Sequence, residues 1–361
     1  MTKSSRRDFV KGLGAGAVVL TLNPSIGFSQ DWPRRPITIV IQYAEGGGTD
    51  TIIRGIRQAL ERKLGVSIRA VNQPGAVGAI ATQYVAARPA DGLWLLGGAE
   101  YNKFFRVLGH TDEAPWKTWQ FFKIGTSVPA WGVRPDSPYE SLADVIADAK
   151  SRPGEVKISN AGIGSIWHEA TLVALEQATG ATFTHVPYDG GAPAALAALQ
   201  GEVDVVASGV HEQIEFVRAG QLRNLAVFRD APLEVEGLDQ PLTPVTDDIP
   251  TAADVGLIHG VYAIAAKRDT DRDILLAIQE AVRESVADPQ FASILHQRVM
   301  FPEFKGGEEA DREAALFESV TSWVYWDEQM EGAVVDPETL GIPRPEDFAS
   351  WWPPEDYEPV L

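Results

Sequence analysis

Short apolar runs rich in β-branched residues alternate with amphipathic segments of helical period along most of the chain. The first run, residues 37–41, predicts a buried parallel strand. An amphipathic helix is predicted next, capped at its start by Thr49 or Asp50 and ending at Leu64, with Gly65 where a helix C-terminus favours glycine. Because this order recurs, the pattern predicts an α/β fold with mostly parallel sheets.

The rest of the chain continues this pattern on both sides of a break near Trp131. Further strands are predicted over residues 66–71, 93–97, 156–159, 183–186, 203–207, 222–228 and 261–266. Helices are predicted to end at Ala87 and Gln200 and to span residues 137–150, 166–179, 271–287 and 308–330. Residues 231–250 predict an irregular connection, and residues 343–361 predict an extended arm packed on the surface.

Four loops share one design, in which a strand ends, glycines or other small residues follow and a helix begins. They are residues 42–48, 72–78, 160–165 and 187–191. Taken singly, each loop is also what a tight turn requires. Together they lie where open α/β sheets bind ligands, and helix N-termini bind anions through unpaired amides without needing a cation.

The N-terminal segment predicts export. Paired arginines at Arg6 and Arg7, followed by Phe9 and Lys11, match a twin-arginine signal peptide over residues 1–29. The apolar run that follows them, residues 12–22, is too short for a membrane span. The sequence contains no cysteine, which excludes disulfides, a thiolate nucleophile, a cysteine metal site and a lipid-modified cysteine anchor.

The net charge of the chain narrows the classes of molecule that it is expected to bind. The formal net charge is −19, and it becomes more negative once the basic signal segment is removed. A protein this acidic is not expected to bind nucleic acid or an acidic membrane surface. If its ligand is an anion, backbone amides must hold it against the global field.

Motifs for catalysis and cofactors are weak. The glycine loop after β-branched residues 37–41 lacks the lysine of a phosphate-binding loop and does not follow the dinucleotide-binding pattern. Ser165 and His168 lack the flanking pattern of a hydrolase, and Leu172 stands where a second zinc-binding histidine would be needed after His168. The other histidines, His211 among them, are interpreted as surface or capping residues. We therefore expect no catalytic residue, no metal ligand and no cofactor.

A series of short motifs runs in order from about residue 32 to 300. They are WPxxPIT at 32–38, GGGTD at 46–50, NxPGAxG at 72–78, PADG at 89–92, DSPY at 136–139, GxGSxxH at 162–168, HVPYxGG at 185–191, GxVD at 201–204 and PT at 250–251 before Gly256. In this order and spacing the chain resembles the receptors of tripartite tricarboxylate transporters, of the Bordetella-uptake-gene type.

The resemblance implies a two-lobed periplasmic-binding-protein fold of type II (a venus flytrap), here with a C-terminal extension. Lobe 1 is predicted over residues 31–130 plus 231–361, and lobe 2 over residues 131–230. The implied ligand is a small organic carboxylate, and the implied partners are a large and a small membrane subunit of the transporter. The implied ligand-binding residues are Tyr43, Gly47, Gly48, Thr49, Asp50, Gly75, Ala76, Gly164, Ser165, His168, Tyr188, Gly190 and Gly191.

Two departures from the family pattern bear on the ligand. Glu45 stands where the family usually has proline; its side chain is expected to point to solvent, or else to select a ligand with a cationic or hydroxyl group. Trp167 occupies a position that is usually small, and is expected to narrow the pocket or to stack on an aromatic acid. A periplasmic enzyme on the same fold and a sensory receptor that docks on a histidine-kinase ectodomain remain alternatives.

Overall fold

The structure is a computed structural model, and it describes residues 32–103, 105–254, 259–330, 332 and 335–361. The predicted signal peptide, residues 1–29, and the motif residue Gly256 lie outside the described residues. Within them, no helix is both long enough and apolar enough to cross a membrane.

Two separate β-sheets organise the chain. The first segment of the chain alternates strands and helices: β1 (Ile37–Ile41), α1 (Gly48–Leu64), β2 (Ile68–Asn72), α2 (Ala79–Ala86), β3 (Trp94–Ala99), α3 (Pro115–Thr118) and β4 (Trp119–Ser127). The second segment builds the other sheet: β5 (Pro129–Val133), α4 (Leu142–Ser151), β6 (Lys157–Asn160), α5 (Ile166–Thr171), β7 (Thr184–Pro187), α6 (Gly191–Gln200), β8 (Val205–Gly209), α7 (Val210–Arg218) and β9 (Arg223–Val227).

The chain then returns to the first sheet. The last segment contains β10 (Gly260–Lys267), α8 (Arg272–Val286), α9 (Pro289–Gln297), β11 (Phe301–Lys305), α10 (Gly307–Asp327) and α11 (Phe348–Trp351). The six-stranded sheet has the order β11-β4-β10-β3-β1-β2, and the five-stranded sheet has the order β7-β6-β8-β5-β9. We call the first sheet with its helices lobe 1 and the second lobe 2.

Both sheets are mixed, whereas the pattern predicted mostly parallel sheets. Strands β2, β1 and β3 pair in parallel, and so do β7, β6 and β8. The other pairs, which involve β4, β5, β9, β10 and β11, are antiparallel. Strand–helix–strand units place their two strands in parallel. Strands that carry the chain between the lobes, or that are joined by short connections, pair in antiparallel.

Several of these antiparallel elements were not predicted. Strand β4 is nearly all buried, yet it contains Gln120 and Lys123 at 0% and 1% exposure. Polar residues in a buried strand break the apolar pattern, and Lys123 is tolerated there because it pairs with Glu313 at 2.6 Å. Strands β5 and β11 and helices α7 and α9 were missed as well.

The core of lobe 1 lies between the six-stranded sheet and helices α1, α8 and α9. Helix α1 buries Ile52, Ile53 and Ile56 on one face, as its predicted amphipathic pattern requires. Burial of each such side chain contributes about 1.5–3 kcal/mol. Packing on this scale holds the N-terminus of α1 in a fixed position at the carboxyl end of β1.

The start of α1 differs from the prediction. Gly47 is the N-cap residue, in an extended conformation, so neither Thr49 nor Asp50 caps the helix. Asp50 lies in the first turn and accepts the backbone N–H of Gly46 at 3.0 Å. The carboxylate of Asp50 therefore accepts the backbone N–H of a residue just before the helix. The sequence pattern does not distinguish this contact from N-capping. Gly65 ends the helix in the left-handed conformation, as predicted.

The C-terminal residues pack on lobe 1. Phe348 is buried, and Trp352 and Tyr357 make edge-on contacts with Trp116 at ring-centroid distances of 5.6 and 5.8 Å. Arg268 donates to the carbonyl oxygen of Glu358 at 2.8 Å. The predicted surface arm is thus anchored by an aromatic cluster, with the short helix α11 inside it.

Candidate functional site

A narrow cavity of about 20 Å³ lies between the two lobes, and we call it the cleft cavity. Lobe 1 lines it with Tyr43, Gly47, Gly48, Thr49, Glu100, Gly260, Val261 and Tyr262. Lobe 2 lines it with Ala161, Trp167, Gly191 and Glu212. Most of these residues follow the carboxyl ends of strands, which is where ligands bind in open α/β folds.

Gly48 makes the close approach of the lobes possible. A Cβ atom on Gly48 would lie 2.2 Å from Nε2 of His211 and 2.5 Å from the hydroxyl oxygen of Tyr262. No side chain fits in that space unless these neighbours move. The glycine predicted from the loop pattern is therefore required at this position by packing across the cleft.

Three helix N-termini converge on the carboxylate of Glu212. Its Oε1 accepts the N–H of Gly48 at 3.2 Å, from the start of α1, and its Oε2 accepts the N–H of Gly209 at 2.8 Å, at the cap of α7. A Cβ on Gly191, at the start of α6, would lie 1.8 Å from Oε2. The anion at these helix ends is a carboxylate of the protein itself, whereas the sequence analysis expected a ligand anion there.

Glu100 places a second carboxylate in the cavity wall. It follows β3, is 6% exposed, and accepts the N–H of Ile166, at the start of α5, through Oε1 at 2.9 Å. Burial raises the pKa of Glu100 to about 6, and the neighbouring charge of Lys103 opposes that rise. The raised pKa reflects the cost of keeping this carboxylate charged away from water.

Aromatic side chains form much of the remaining wall. Trp167, 5% exposed, lies with its ring centroid 5.9 Å from that of His211, and the centroid of Tyr262 is 6.0 Å from His211 on the other side. The Tyr262 hydroxyl is hydrogen-bonded to Ser127 at 2.9 Å. Burial raises the pKa of Tyr262 and of Tyr43 well above its usual value, so both hydroxyls are neutral. Trp167 narrows the cavity, one of the two roles predicted for it.

The predicted site residues separate into those on a cavity wall and those behind it. Five line the cleft cavity: Tyr43, Gly47, Gly48, Thr49 and Gly191. Three others line an adjoining, more open cavity of about 460 Å³: Gly75, Ala76 and Tyr188. The hydroxyl of Tyr188 donates to Glu202 at 3.0 Å. Gly190 is buried against Tyr43 and Ala44.

Asp50 lies behind the first loop. Its Oδ1 accepts the side chains of Arg54 at 2.7 Å and Asn72 at 2.9 Å, and its Oδ2 accepts the N–H of Gly46. These contacts tie the glycine loop to α1 and β2. Glu45, in the same loop, has an 80% exposed side chain, which is consistent with the expectation that it points to solvent.

Gly164, Ser165 and His168 support the third loop from within lobe 2. The N–H of Gly164 donates to Nδ1 of His168 at 3.3 Å, and the N–H of His168 donates to Oγ of Ser165 at 3.4 Å. His168 is fully buried, and burial, with a smaller effect of His185, lowers its pKa to about 3. The imidazole is therefore neutral, and none of these three residues is on the wall of either cavity.

Sequence reasoning missed four residues at the cleft: Glu100, His211, Glu212 and Tyr262. His211 was interpreted as a surface or capping residue, but it is 3% exposed and packs against the cleft. The signal that could have found the two acids was their place near strand ends: Glu100 directly follows the strand at 94–99, and Glu212 lies in the first turn of the helix that follows the strand at 205–209. Among the described residues, no group of three or more histidine and acidic side chains is arranged to hold a metal ion.

Comparisons with known proteins agree with this architecture. A family model described as the tripartite tricarboxylate transporter family receptor matches residues 52–312. The protein BugT of Bordetella pertussis is 28% identical over 280 residues, which cover 75% of this chain and 82% of the relative. A second relative, encoded in the tcbD-tcbE intergenic region of a Pseudomonas species, is 26% identical over 277 residues, 74% of this chain and 78% of the relative.

Solved structures share the fold. A structure of a periplasmic transporter matches with a TM-score of 0.75 at 22% identity, over 83% of this chain and 99% of that one. The periplasmic binding protein BugD matches with a TM-score of 0.69 at 24% identity, over 87% of this chain and all of that one. An R. palustris protein solved with adipate matches with a TM-score of 0.68 at 25% identity, over 87% of this chain and 100% of that one.

The predicted two-lobed α/β fold of periplasmic binding proteins is therefore confirmed. The family match covers well over half of the sequence, and it confirms the resemblance carried by the ordered motifs. This chain belongs to the family of tripartite tricarboxylate transporter receptors.

Proposed function

We propose that this protein is a periplasmic solute-binding receptor that captures a small organic carboxylate between its two lobes and delivers it to the membrane subunits of a tripartite transporter. The observation that carries the proposal is the cleft cavity itself. Both lobes contribute to its wall, and the wall includes the first residues of α1 and α6. The adipate-bound relative, at 25% identity, supports a carboxylate as the ligand class.

Backbone amides supply the binding energy for the carboxylate. The first turn of a helix presents amides that have no partner within the helix, and each favourable contact with an anion contributes about 0.3–1 kcal/mol, rising to about 2 when partly buried. Micromolar affinity requires about 8 kcal/mol. The two amides of Thr49 and Gly191 supply up to about 4 kcal/mol of it, and aromatic packing adds to this.

Export by the twin-arginine pathway is part of the proposal. Arg6 and Arg7 with the short apolar run after them support it, and the family supports the periplasm as the destination. The large and small membrane subunits follow from membership of the same family.

We propose that binding involves no chemical step. Ser165 and His168 are the strongest candidates for a nucleophile and its base, yet their observed contact runs from the backbone N–H of His168 to the serine oxygen. The imidazole Nδ1 is already engaged by Gly164. A hydrolase requires the base to accept the hydroxyl proton, and this arrangement does not provide that contact.

Capture is proposed to use hinge closure. The chain passes between the sheets at Val128 and again between β9 and β10, close to the predicted lobe boundaries at 131 and 230. Contacts across the cleft include the N–H of Ala44 donating to the carbonyl oxygen of Asp189 at 3.1 Å. Separation of the lobes must also break the contacts of Gly48 with Glu212, of Ile166 with Glu100 and of Lys103 with Glu169. The two crossing segments are where a hinge motion would turn.

A thermal-shift screen tests the proposal. The mature protein is heated with succinate, adipate, citrate, benzoate, glutamate, glutarate, γ-aminobutyrate and butyrate in turn. We expect at least one acid to raise the melting temperature in a concentration-dependent way, because a ligand of the folded state stabilises it. Mass spectrometry of the recovered ligand must show it unchanged. A converted product would support the enzyme alternative and contradict the receptor.

A further inference from the structure

We propose that Glu212 is an internal competitor of the solute. Its carboxylate occupies the helix ends at which the carboxylate of the solute binds, and it joins the two lobes until a solute displaces it. This inference rests on the proposed receptor function and concerns the regulation of the same site. It does not depend on which carboxylate the receptor captures.

The two carboxylate oxygens of Glu212 are bonded to different lobes. Glu212 is the third residue of α7 in lobe 2, and its Oε2 accepts the N–H of Gly209, the N-cap residue of that helix, at 2.8 Å. Its Oε1 accepts the N–H of Gly48, at the start of α1 in lobe 1, at 3.2 Å. The side chain is only 3% exposed. Such a carboxylate resists separation of the lobes, because an unsatisfied buried charge is costly.

Helix α4 shows that the contact within α7 does not require a glutamate. Asp144 is the third residue of α4, and its carboxylate accepts the N–H of the N-cap residue Ser141 at 2.9 Å. An aspartate side chain is one methylene shorter than a glutamate side chain. The additional length of Glu212 is therefore not needed to cap α7, and it brings Oε1 to an amide 164 positions away in the sequence.

Glu212 fills the space that a solute carboxylate needs. A Cβ atom on Gly191, at the start of α6, would lie 1.8 Å from Oε2, and a Cβ atom on Gly47, just before α1, would lie 3.5 Å from Oε1. The cleft cavity that this carboxylate leaves, about 20 Å³, has room for about one water molecule. Two carboxylates cannot share these helix ends, because like charges repel strongly at low dielectric. A solute therefore binds there only when Glu212 moves away.

A second buried carboxylate that joins the lobes differs in its partners. Glu169 of lobe 2 forms an ion pair with Lys103 of lobe 1 and accepts the hydroxyl of Thr321 at 3.0 Å. None of these three residues lines the cleft cavity, so a solute in the cavity does not compete with their contacts. Glu212 is on the wall of the cavity, and its partners are backbone amides that a solute carboxylate can bind in its place.

Hydrogen exchange of the protein without added acid tests whether Glu212 joins the lobes. The N–H of Ala44 donates to the carbonyl oxygen of Asp189 across the cleft at 3.1 Å, so its exchange rate reports separation of the lobes. Glu212→Asp keeps the charge and, as Asp144 does in α4, the cap of its helix, but it is too short to reach Gly48. We expect the Ala44 amide to exchange at least tenfold faster in this variant, and the amides within α7 to exchange as in the parent.

Glu215→Asp is the matched control, because it shortens a glutamate of the same helix whose side chain is 54% exposed. It should leave the exchange of Ala44 unchanged. Mass spectrometry with fragmentation to single residues makes the measurement. If Ala44 exchanges equally fast in the two variants, or if exchange within α7 rises as much as that of Ala44 in Glu212→Asp, the inference is overturned.

Isothermal titration calorimetry with adipate tests the competition. We expect Glu212→Asp to bind adipate at least threefold more tightly than the parent does, because adipate no longer has to displace a carboxylate from the amide of Gly48. Equal or weaker binding by the variant would overturn the inference and leave the receptor function standing. If no acid of the thermal-shift panel binds the parent, the receptor function is contradicted, whereas the exchange of Ala44 still decides whether Glu212 joins the lobes.

Discussion

Buried carboxylates occur in two regions of this protein, and only one region supplies them with cations. Around helix α10, Glu318 pairs with Arg106 at 2.6 Å, and Asp311 pairs with Arg268 at 2.9 Å. In the cleft, Glu212 and Glu100 are held by backbone amides. Both regions exclude water, so the difference lies in how the charge is balanced.

The buried acids are therefore of two kinds: scaffold acids, which pair with a cation around α10, and site acids, which line the cleft cavity. A buried acid in the core is paired with a cationic side chain of the same protein, because an unpaired buried charge costs several kcal/mol. In the cleft, each acid instead accepts a backbone amide of the opposite lobe, Glu212 from Gly48 and Glu100 from Ile166. Four expected outcomes test this distinction, and they follow in order of decreasing effect.

Removing the cation from a scaffold pair should cost the most. Arg106→Met leaves Glu318 charged and 2% exposed, and we expect a loss of about 3–5 kcal/mol in the free energy of unfolding. Urea denaturation measures it. The control Arg62→Met breaks an equally short pair with Asp288, at 2.6 Å, whose arginine is 51% exposed; it should cost less than about 1 kcal/mol. If the two variants lose the same free energy of unfolding, the buried pair contributes no more to stability than the exposed pair.

Filling the space at Gly48 should abolish binding. In Gly48→Val the side chain meets His211 and Tyr262, so the lobes are held apart, and we expect the affinity for the tightest-binding acid of the panel to fall at least a hundredfold, about 3 kcal/mol. The melting temperature of the empty protein should fall as well, because the contacts across the cleft at Gly48 are displaced even without a ligand. Gly55→Ala, in the same helix and away from the cleft, should bind as the parent does. Unchanged affinity in Gly48→Val would show that closure does not require this contact.

The pH dependence of stability should identify Glu100. Its pKa in the folded protein, about 6, lies above its usual value, so the folded state binds the proton more tightly than the unfolded chain. The stability that protonation adds is present at low pH and is lost as the pH rises through about 6; the loss amounts to about 2 kcal/mol. The groups facing Glu100 are Lys103, Glu169 and Glu212.

Denaturation of the parent protein and of Glu100→Gln between pH 4.5 and 7.5, in steps of about half a unit, measures this effect. The difference between the two should grow in favour of the glutamine variant as the pH rises. If the free energies of unfolding of the two proteins change with pH in parallel, the charge of Glu100 is balanced by a cation within the empty protein, as the charges of Glu318 and Asp311 are.

The smallest effect is expected at Asp50, an acid at the rim that does have a cation. Its carboxylate is engaged by Arg54, Asn72 and Gly46, so Asp50→Asn should cost about 1 kcal/mol of stability and change ligand affinity by less than about threefold. A tenfold loss of affinity without loss of stability would place Asp50 in contact with the ligand, as the family resemblance implies.

The glycine loops show how far the sequence predicts the site. Gly47, Gly48 and Thr49 line the cleft cavity as expected, because a strand–glycine–helix unit fixes its loop at the carboxyl end of its strand by local geometry alone. Asp50 was predicted as a possible N-cap, whereas it lies in the first turn and accepts the N–H of Gly46; an acid at the start of a helix has the same sequence signature in both roles. The functions of Ser165 and His168 as ligand contacts stay predictions.

The sequence by itself determined the alternation of strands and helices, the four loops, the acidic balance and the family. Each of these depends on neighbours within one element or on ordered motifs. Only the tertiary structure decided that Glu100 and Glu212 share a cavity, because they lie 112 positions apart in the sequence and on different lobes. The tertiary structure also decided which acids pair with a cationic side chain. Arg106 and Glu318 are brought together by packing between distant parts of the chain, which no local sequence pattern indicates.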